Sequence, residues 1–380
     1  MAVVEHIDIG VYYFPQYHPD DRNDEWHGRG WTEWELVRRA EPRFPGHYQP
    51  KVPAWGYYDE SEPEAAARAI DVARRHGVDF FIFDWYWYED GPFLDRALRA
   101  GFLKARNAKH VRIALMWANH NWENIHPVKA SEKHSVLADG SLSRQAFVEG
   151  TNHVIAEYLP LPQYYRLLGG AYFSFFDVMR LVEGLGGIEK AAVELDGFRE
   201  RARAAGVGEL HLNAVIWGLD NGRLRHQYVP VPPEAVTRLG FDSVTSYTWF
   251  QYLPMEGGLT MNYSAFARDA AAGWVALRDA YPVPYIPNVT MGWDPSPRTV
   301  QSDEFRVTSY PFTPILVDNT PYAFGEAIEK ACRFVRGGRG VRVLTINAWN
   351  EWTEGSYLEP DERWGMQYLE AMAAGLGARK

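Results

Sequence analysis

The segment Val341-Arg342-Val343-Leu344-Thr345-Ile346-Asn347-Ala348-Trp349-Asn350-Glu351-Trp352-Thr353-Glu354-Gly355 changes character halfway along. Its first half is a short apolar run of β-branched residues, which predicts a strand buried on both faces. Its second half mixes tryptophans with amides and two carboxylates, the composition of a functional loop. Seven more runs of the first kind precede it: Ile7 to Phe14, Phe80 to Trp85, Val111 to Trp117, Ala171 to Phe176, Leu210 to Trp217, Ser243 to Tyr247 and Tyr285 to Thr290. Most are separated by helical patterns, namely Glu62 to His76, Leu94 to Asn107, Ile188 to Ala205, Tyr263 to Tyr281 and Tyr322 to Arg336. Strand alternating with helix implies a parallel sheet with crossovers, and eight such units suit a closed (β/α)8 TIM barrel better than an open sheet.

Such a barrel needs about 250 residues, so over a third of the 380 residues here are left for insertions. The largest candidates, Gln16 to Tyr58 and Asn119 to Pro162, each follow a strand directly. Loops after strands build the active face of this fold, so both insertions are expected to roof one pocket. With no linker, repeat or low-complexity tract, residues 1–380 read as one barrel domain.

Composition narrows the function. A net charge of −10 with no clustered basic stripe argues against nucleic acid as a partner. No apolar run approaches the roughly 18 residues of a membrane span, and Glu5, His6 and Asp8 stand where an export signal would carry basic and then apolar residues. The expected location is therefore the cytoplasm, with the periplasm or export as the alternative for a chain whose signal peptide has been removed. The lone Cys332 lies in an amphipathic pattern and reads as a small buried hydrophobe. The twelve His show no HExxH-like spacing, so neither a metal nor another cofactor is expected. The strong bias is aromatic, with 15 Trp, 22 Tyr and 19 Phe, many of them beside Asn, Asp, Gln and His. Sugars combine apolar C–H faces with hydroxyl rims, and such mixtures bind them by stacking and hydrogen bonding.

These mixtures fall at the predicted strand ends. Strand one runs into Tyr13, Gln16 and Tyr17; strand two into Asp84 and Trp85; strand three into Trp117, Asn119, Asn121 and Trp122. Strand five ends at Trp217, with Asp220 and Asn221 beyond; strand six reaches Tyr247 and Trp249; strand seven reaches Trp293; strand eight reaches Asn347, Trp349 and Asn350. All but Asp220 and Asn221 are candidate carbohydrate contacts. Glu351 and Glu354 are the candidate catalytic pair. In extended chain their separation of three would send them to opposite faces, but in a helical turn they share a face with Cβ atoms about 5–6 Å apart. Carboxyl groups about 5–5.5 Å apart match retaining glycoside hydrolysis.

Several blocks together resemble the WbsX-type, glycoside hydrolase family 99-like proteins. They are Tyr13-Phe14-Pro15-Gln16-Tyr17-His18, Asn23-Asp24-Glu25-Trp26, Gly30-Trp31-Thr32-Glu33-Trp34, Gly46-His47-Tyr48-Gln49-Pro50, Trp117-Ala118-Asn119-His120-Asn121-Trp122, Trp349 to Gly355 and Leu358-Glu359-Pro360, with His120 where many members carry Glu. The resemblance implies a (β/α)8 barrel and a retaining mechanism on mannose- or rhamnose-like glycosides of a bacterial or plant polysaccharide. It makes Glu351 the base acting on the sugar's own 2-hydroxyl, or a direct nucleophile, and Glu354 the general acid/base. It adds Glu33, Trp34 and Tyr48 to the candidate sugar contacts and gives Glu359 a structural part beside the pair. Two other readings stand beside hydrolysis. A glycosyltransferase of polysaccharide assembly needs the same sugar site, although no phosphate loop or Asp-x-Asp is visible. A non-catalytic binding protein needs the aromatics but no carboxylate pair.

Overall fold

The computed structural model describes residues 6–217, 229–255, 257–338 and 340–377. Eight parallel strands form a barrel: β1 (Asp8–Tyr13), β2 (Phe80–Tyr88), β3 (Arg112–Trp117), β4 (Gly170–Phe175), β5 (Leu210–Val215), β6 (Ser243–Thr245), β7 in two segments (Tyr285–Ile286 and Asn288–Thr290), and β8 (Val343–Asn347). Each strand from β1 to β6 pairs with the next. The first segment of β7 pairs with β6 and the second with β8, which pairs with β1. The ladder breaks at Pro287, which has no N–H to give, although its carbonyl still accepts from Thr345 N at 3.0 Å.

Strand periodicity sorts the side chains into two cores. Tyr12, Ile82, Ala114, Met116, Tyr172, Val215, Ile286 and Val343 point into the barrel and pack on one another. Their neighbours one residue along, such as Val11, Phe83, Leu115, Phe173 and Leu344, point outward onto the helices. Pro63–Arg75, Ile188–Ala204, Tyr263–Ala280 and Pro321–Gly337 are α-helices, as their periodicity predicts, and Cys332 is buried on the last. Among the described residues, no helix is long and apolar enough to cross a membrane.

Three features depart from expectation. Leu94 to Asn107 is no regular α-helix: a wide turn at Ala97–Gly101 gives way to 3-10 turns at Phe102–Lys104 and Ala108–His110. The backbone of Glu60 presses so close to Gly101 that an added Cβ would sit 2.2 Å from its carbonyl oxygen. The second insertion ends early, because Arg144–Glu157 is a helix packed on the outer core. A third long connection, from Met291 at the end of β7 to Thr320, supplies much of the pocket wall.

Candidate active site

The carboxyl ends of the strands open into a cavity of about 690 Å³. After β8 the chain forms a small hairpin, Asn350–Glu351 paired with Ser356–Tyr357, whose tip is a 3-10 turn over Trp352–Glu354. In a 3-10 turn residues three apart are eclipsed, so Glu351 and Glu354 face the same way. Gly355 closes the turn at φ 65°, a left-handed conformation, and a Cβ there would lie 2.8 Å from that of Asp294.

The hairpin is tied down by buried side chains. Asn350 clamps it to β1, accepting from Phe14 N and donating to Phe14 O, both at 2.8 Å. Glu60, fully enclosed, accepts from Tyr17 N at 2.5 Å and approaches Asn350 Nδ2 at 3.4 Å and His18 Nδ1 at 3.1 Å. Tyr17 OH accepts from Trp352 N at 3.0 Å, and Trp352 Nε1 donates to Glu359 at 2.8 Å. Burial pushes the Glu359 carboxyl up to about 7, so its bonds with Trp352 and Tyr58 serve the hairpin's shape. Asp294 accepts from His47, Gln49 and Lys51 at 2.6–2.9 Å and donates its N–H to Glu354 O at 2.5 Å. Burial would raise Asp294, but Lys51 and His47 outweigh it and hold this carboxyl well below its usual range.

One guanidinium organises the acids. Arg298 Nη2 donates to Glu351 at 3.1 Å and to Glu33 at 3.3 Å, while Nη1 donates to Glu354 at 3.1 Å. Its Nε donates to Thr353 Oγ1 at 3.1 Å. Tyr310 OH donates to Glu354 at 2.6 Å. Burial would raise Glu33, yet Arg298, His126 and Thr353 overcome it, so Glu33 stays ionised below its ordinary value. Burial pushes Glu351 well up, and Glu354 and Asp84 add to this against the pull of Arg298. Burial raises Glu354 as well, with Arg298 and Tyr310 opposing. Asp84 is driven well up by burial, with the nearby Glu354 charge adding to it. Tyr247 OH lies 3.0 Å from Asp84 Oδ2 and 3.1 Å from Glu351 Oε2. A phenol has one hydrogen to donate, so one of those two carboxyls must bring a proton of its own. The arrangement holds ionised and protonated carboxyls side by side, the requirement for paired acid and base chemistry.

Of the residues singled out from sequence, Asp84, Asn121, Trp122, Trp217, Tyr247, Trp293, Glu351 and Glu354 line this cavity. Asp220 and Asn221 fall outside the described residues. The other candidates do not reach the cavity wall. Tyr17, Glu33, Trp34 and Asn350 stand one layer behind it as props of the hairpin and of Arg298; Trp34 stacks on Tyr17 at 4.1 Å and donates to Tyr58 O. Asn119 spends both ends of its amide on the Asp177 backbone, and Gln16 accepts from Asn23 Nδ2. Tyr48 lies under Arg363 and Lys51, away from the pocket. Asn347 is wholly buried beneath the hairpin. Tyr13, Trp85, Trp117, Trp249 and Trp349 belong to the outer core. For the strand residues Tyr13, Trp85 and Trp117 the cause is the period of two: each follows an inward residue, Tyr12, Asp84 or Met116, and so turns to the opposite face.

Sequence reasoning passed over Arg298, Tyr310, Tyr86, His126 and the enclosed Glu60. For Arg298 and Tyr310 the one visible signal was the length of the connection after β7, too long for a plain βα loop. Among the described residues, one group of three His and acidic side chains could hold a cation: His6, Asp8 and Asp79. It sits at the opposite end of the barrel, where Arg112 already lies 2.9 Å from Asp8 and 3.7 Å from Asp79.

The family model described as "Glycosyltransferase WbsX" matches residues 9–372. An uncharacterized protein, WxcX, of Xanthomonas campestris pv. campestris is 30% identical over 376 residues, 95% of this chain. The chain spans 48% of that relative, about half its length. Among solved structures, the GH99 endo-α-mannosidase from Bacteroides thetaiotaomicron aligns with a TM-score of 0.56 at 14% identity, covering 98% of this chain and 97% of that one. A glycoside hydrolase-like protein aligns at 0.64 with 16% identity, covering 99% and 95%. A family 1 β-glucosidase from Thermotoga maritima aligns at 0.52 with 10% identity, covering 100% and 99%. At these identities the alignments establish a shared TIM-barrel fold.

Proposed function

We propose, for a chain that belongs to the WbsX family, that the cavity cleaves O-glycosidic bonds in mannose- or rhamnose-like glycans with retention of configuration. The observation that carries this reading is the single guanidinium of Arg298 bridging Glu351 and Glu354 in a buried pocket. Asp84, which has no cationic partner among the described residues, carries the proton that Tyr247 requires. Asp84 then donates to the Tyr247 oxygen and Tyr247 donates to Glu351, leaving Glu351 as the ionised end of the chain. Glu351 takes the proton of the sugar 2-hydroxyl, whose oxygen attacks the anomeric carbon. Glu354 gives its proton to the leaving glycosidic oxygen. Water then opens the resulting 1,2-anhydro sugar while Glu354 accepts a proton from it and Glu351 returns one to the 2-oxygen, so both carboxyls are restored. Paired carboxylates with an acid poised by burial are the groups this chemistry needs.

The family's description as a glycosyltransferase favours one second reading, in which an acceptor hydroxyl replaces water in the second step. Incubating a mannose- and rhamnose-containing oligosaccharide panel in ¹⁸O-water separates the two. Hydrolysis places label in the new reducing end with wild type. Glu354→Gln should lose about 10²–10⁴-fold on unactivated substrates, and Glu351→Gln should be slow even with good leaving groups. Products that appear only when an activated donor is added, and without label, would replace hydrolysis by transfer.

A further inference from the structure

His120 lies in the cavity wall, and its imidazole is held in one tautomer. Nδ1 is 2.8 Å from the carbonyl oxygen of Asn121, which can only accept, so Nδ1 carries the hydrogen. Burial lowers the ring's proton affinity to about 4, with the charges of Arg298 and Arg180 adding to this, so the ring is neutral. In a neutral ring with Nδ1 protonated, Nε2 is a bare acceptor. It has no hydrogen-bond partner among the described residues, and His120 is only partly buried where it lines the cavity. The ring cannot swing away: Phe176, Tyr86 and Trp122 surround it at 5.4, 5.9 and 6.1 Å. Its backbone is fixed too. Tyr88 OH donates to the His120 carbonyl at 3.2 Å, and Gly140 packs so near that a Cβ would lie 2.6 Å from the His120 carbonyl carbon.

We propose that His120 is a specificity-determining residue whose Nε2 accepts a hydrogen bond from one hydroxyl of the sugar seated against Glu351 and Glu354. This rests on the reading of the cavity as a sugar site and narrows the substrate class. A free hydroxyl fits this position, whereas a carboxylate, a phosphate or an O-methyl group offers no hydrogen and meets a lone pair. Trp122, its ring alongside those of His120 and His126 and 4% exposed, acts here as a backing for the imidazole instead of an open stacking platform.

The test uses the whole chain with ¹⁵N-labelled histidine and tryptophan. Long-range ¹H–¹⁵N spectra of the free protein should show His120 protonated at Nδ1 only. Titration with methyl α-mannopyranoside and methyl α-rhamnopyranoside should then move Nε2 toward the hydrogen-bonded range. His120→Phe should weaken binding roughly 3- to 10-fold, the span of one neutral hydrogen bond, and His120→Gln should recover part of it. One member of a monodeoxy methyl-glycoside panel should lose that same factor against wild type and nothing further against His120→Phe. A ring protonated at Nε2, or an Nε2 signal that stays still while the Trp293 indole shifts with sugar, overturns the proposal alone. If neither sugar perturbs any cavity resonance, the reading of the cavity fails and this proposal with it.

Discussion

Replacing Arg298 by Gln removes the one cation that, among the described residues, touches all of Glu33, Glu351 and Glu354. Glu351 and Glu354 already sit above the usual range, so they respond by holding protons. Glu33 is the group held ionised, and without Arg298 its burial dominates. Neutralising a carboxyl of ordinary affinity at pH 7 costs about 1.36 kcal/mol per pH unit above roughly 4.3, close to 4 kcal/mol. That agrees with the roughly 3–5 kcal/mol lost when one partner of a buried ion pair is removed. At about 2.1 cal/mol/K per residue, a chain of this length loses about 5 °C in Tm. The sign with pH follows from linkage. A carboxyl lowered by folding contributes stability above its unfolded value, lost as pH falls through the folded one. The Arg298→Gln penalty should therefore be full at pH 7 and begin to shrink only toward pH 4, as Glu33 in wild type approaches its lowered value. Thermal melts followed by circular dichroism at both values measure it, and Arg298→Gln/Glu33→Gln should recover most of the loss at pH 7. A penalty under about 1 kcal/mol at pH 7, or one equal at both pH values, would refute Arg298 as the organiser of the acids.

Asp84→Asn mimics the neutral acid. Because folding raises Asp84, its contribution is present below the unfolded value near 4 and fades as pH rises, so the variant should gain roughly 1–3 kcal/mol over wild type at pH 8 and nothing near pH 4; a loss at pH 8 in urea unfolding would contradict a protonated Asp84. Trp117→Ala should destabilise by about 3–5 kcal/mol, since the ring packs on Phe147 and Phe175 in the outer core, while calorimetry finds sugar affinity of the folded protein unchanged. Gly355→Ala meets both the left-handed φ and the Asp294 side chain, so a loss of about 2–4 kcal/mol is expected together with lowered turnover; wild-type melting and turnover would show that the hairpin tip tolerates a side chain.

The barrel was legible in local pattern because its strands are buried on both faces. Apolar runs such as Phe80 to Phe83 and Val343 to Ile346 stand out without any knowledge of their neighbours. The location of the site was legible for a related reason, since polar and aromatic residues cluster where the runs end. Within those clusters the sequence could not say which tryptophans face the pocket. Trp85 follows Asp84 by one residue and points the other way, and the phase of that alternation is set by how β2 registers with β1 and β3. The turn bringing Glu351 and Glu354 to one side had to be assumed, because spacing alone allows either face; the hairpin closed by Gly355 against Asp294 decides it. Arg298 was invisible, being one arginine in a long irregular connection 53 residues before Glu351. Composition and periodicity are properties of neighbours along the chain, and they determined the fold and the end of the barrel that opens into the cavity. Which carboxyls share one guanidinium, and which of them keep a proton, depends on distances across the barrel mouth that only the closed tertiary structure decides.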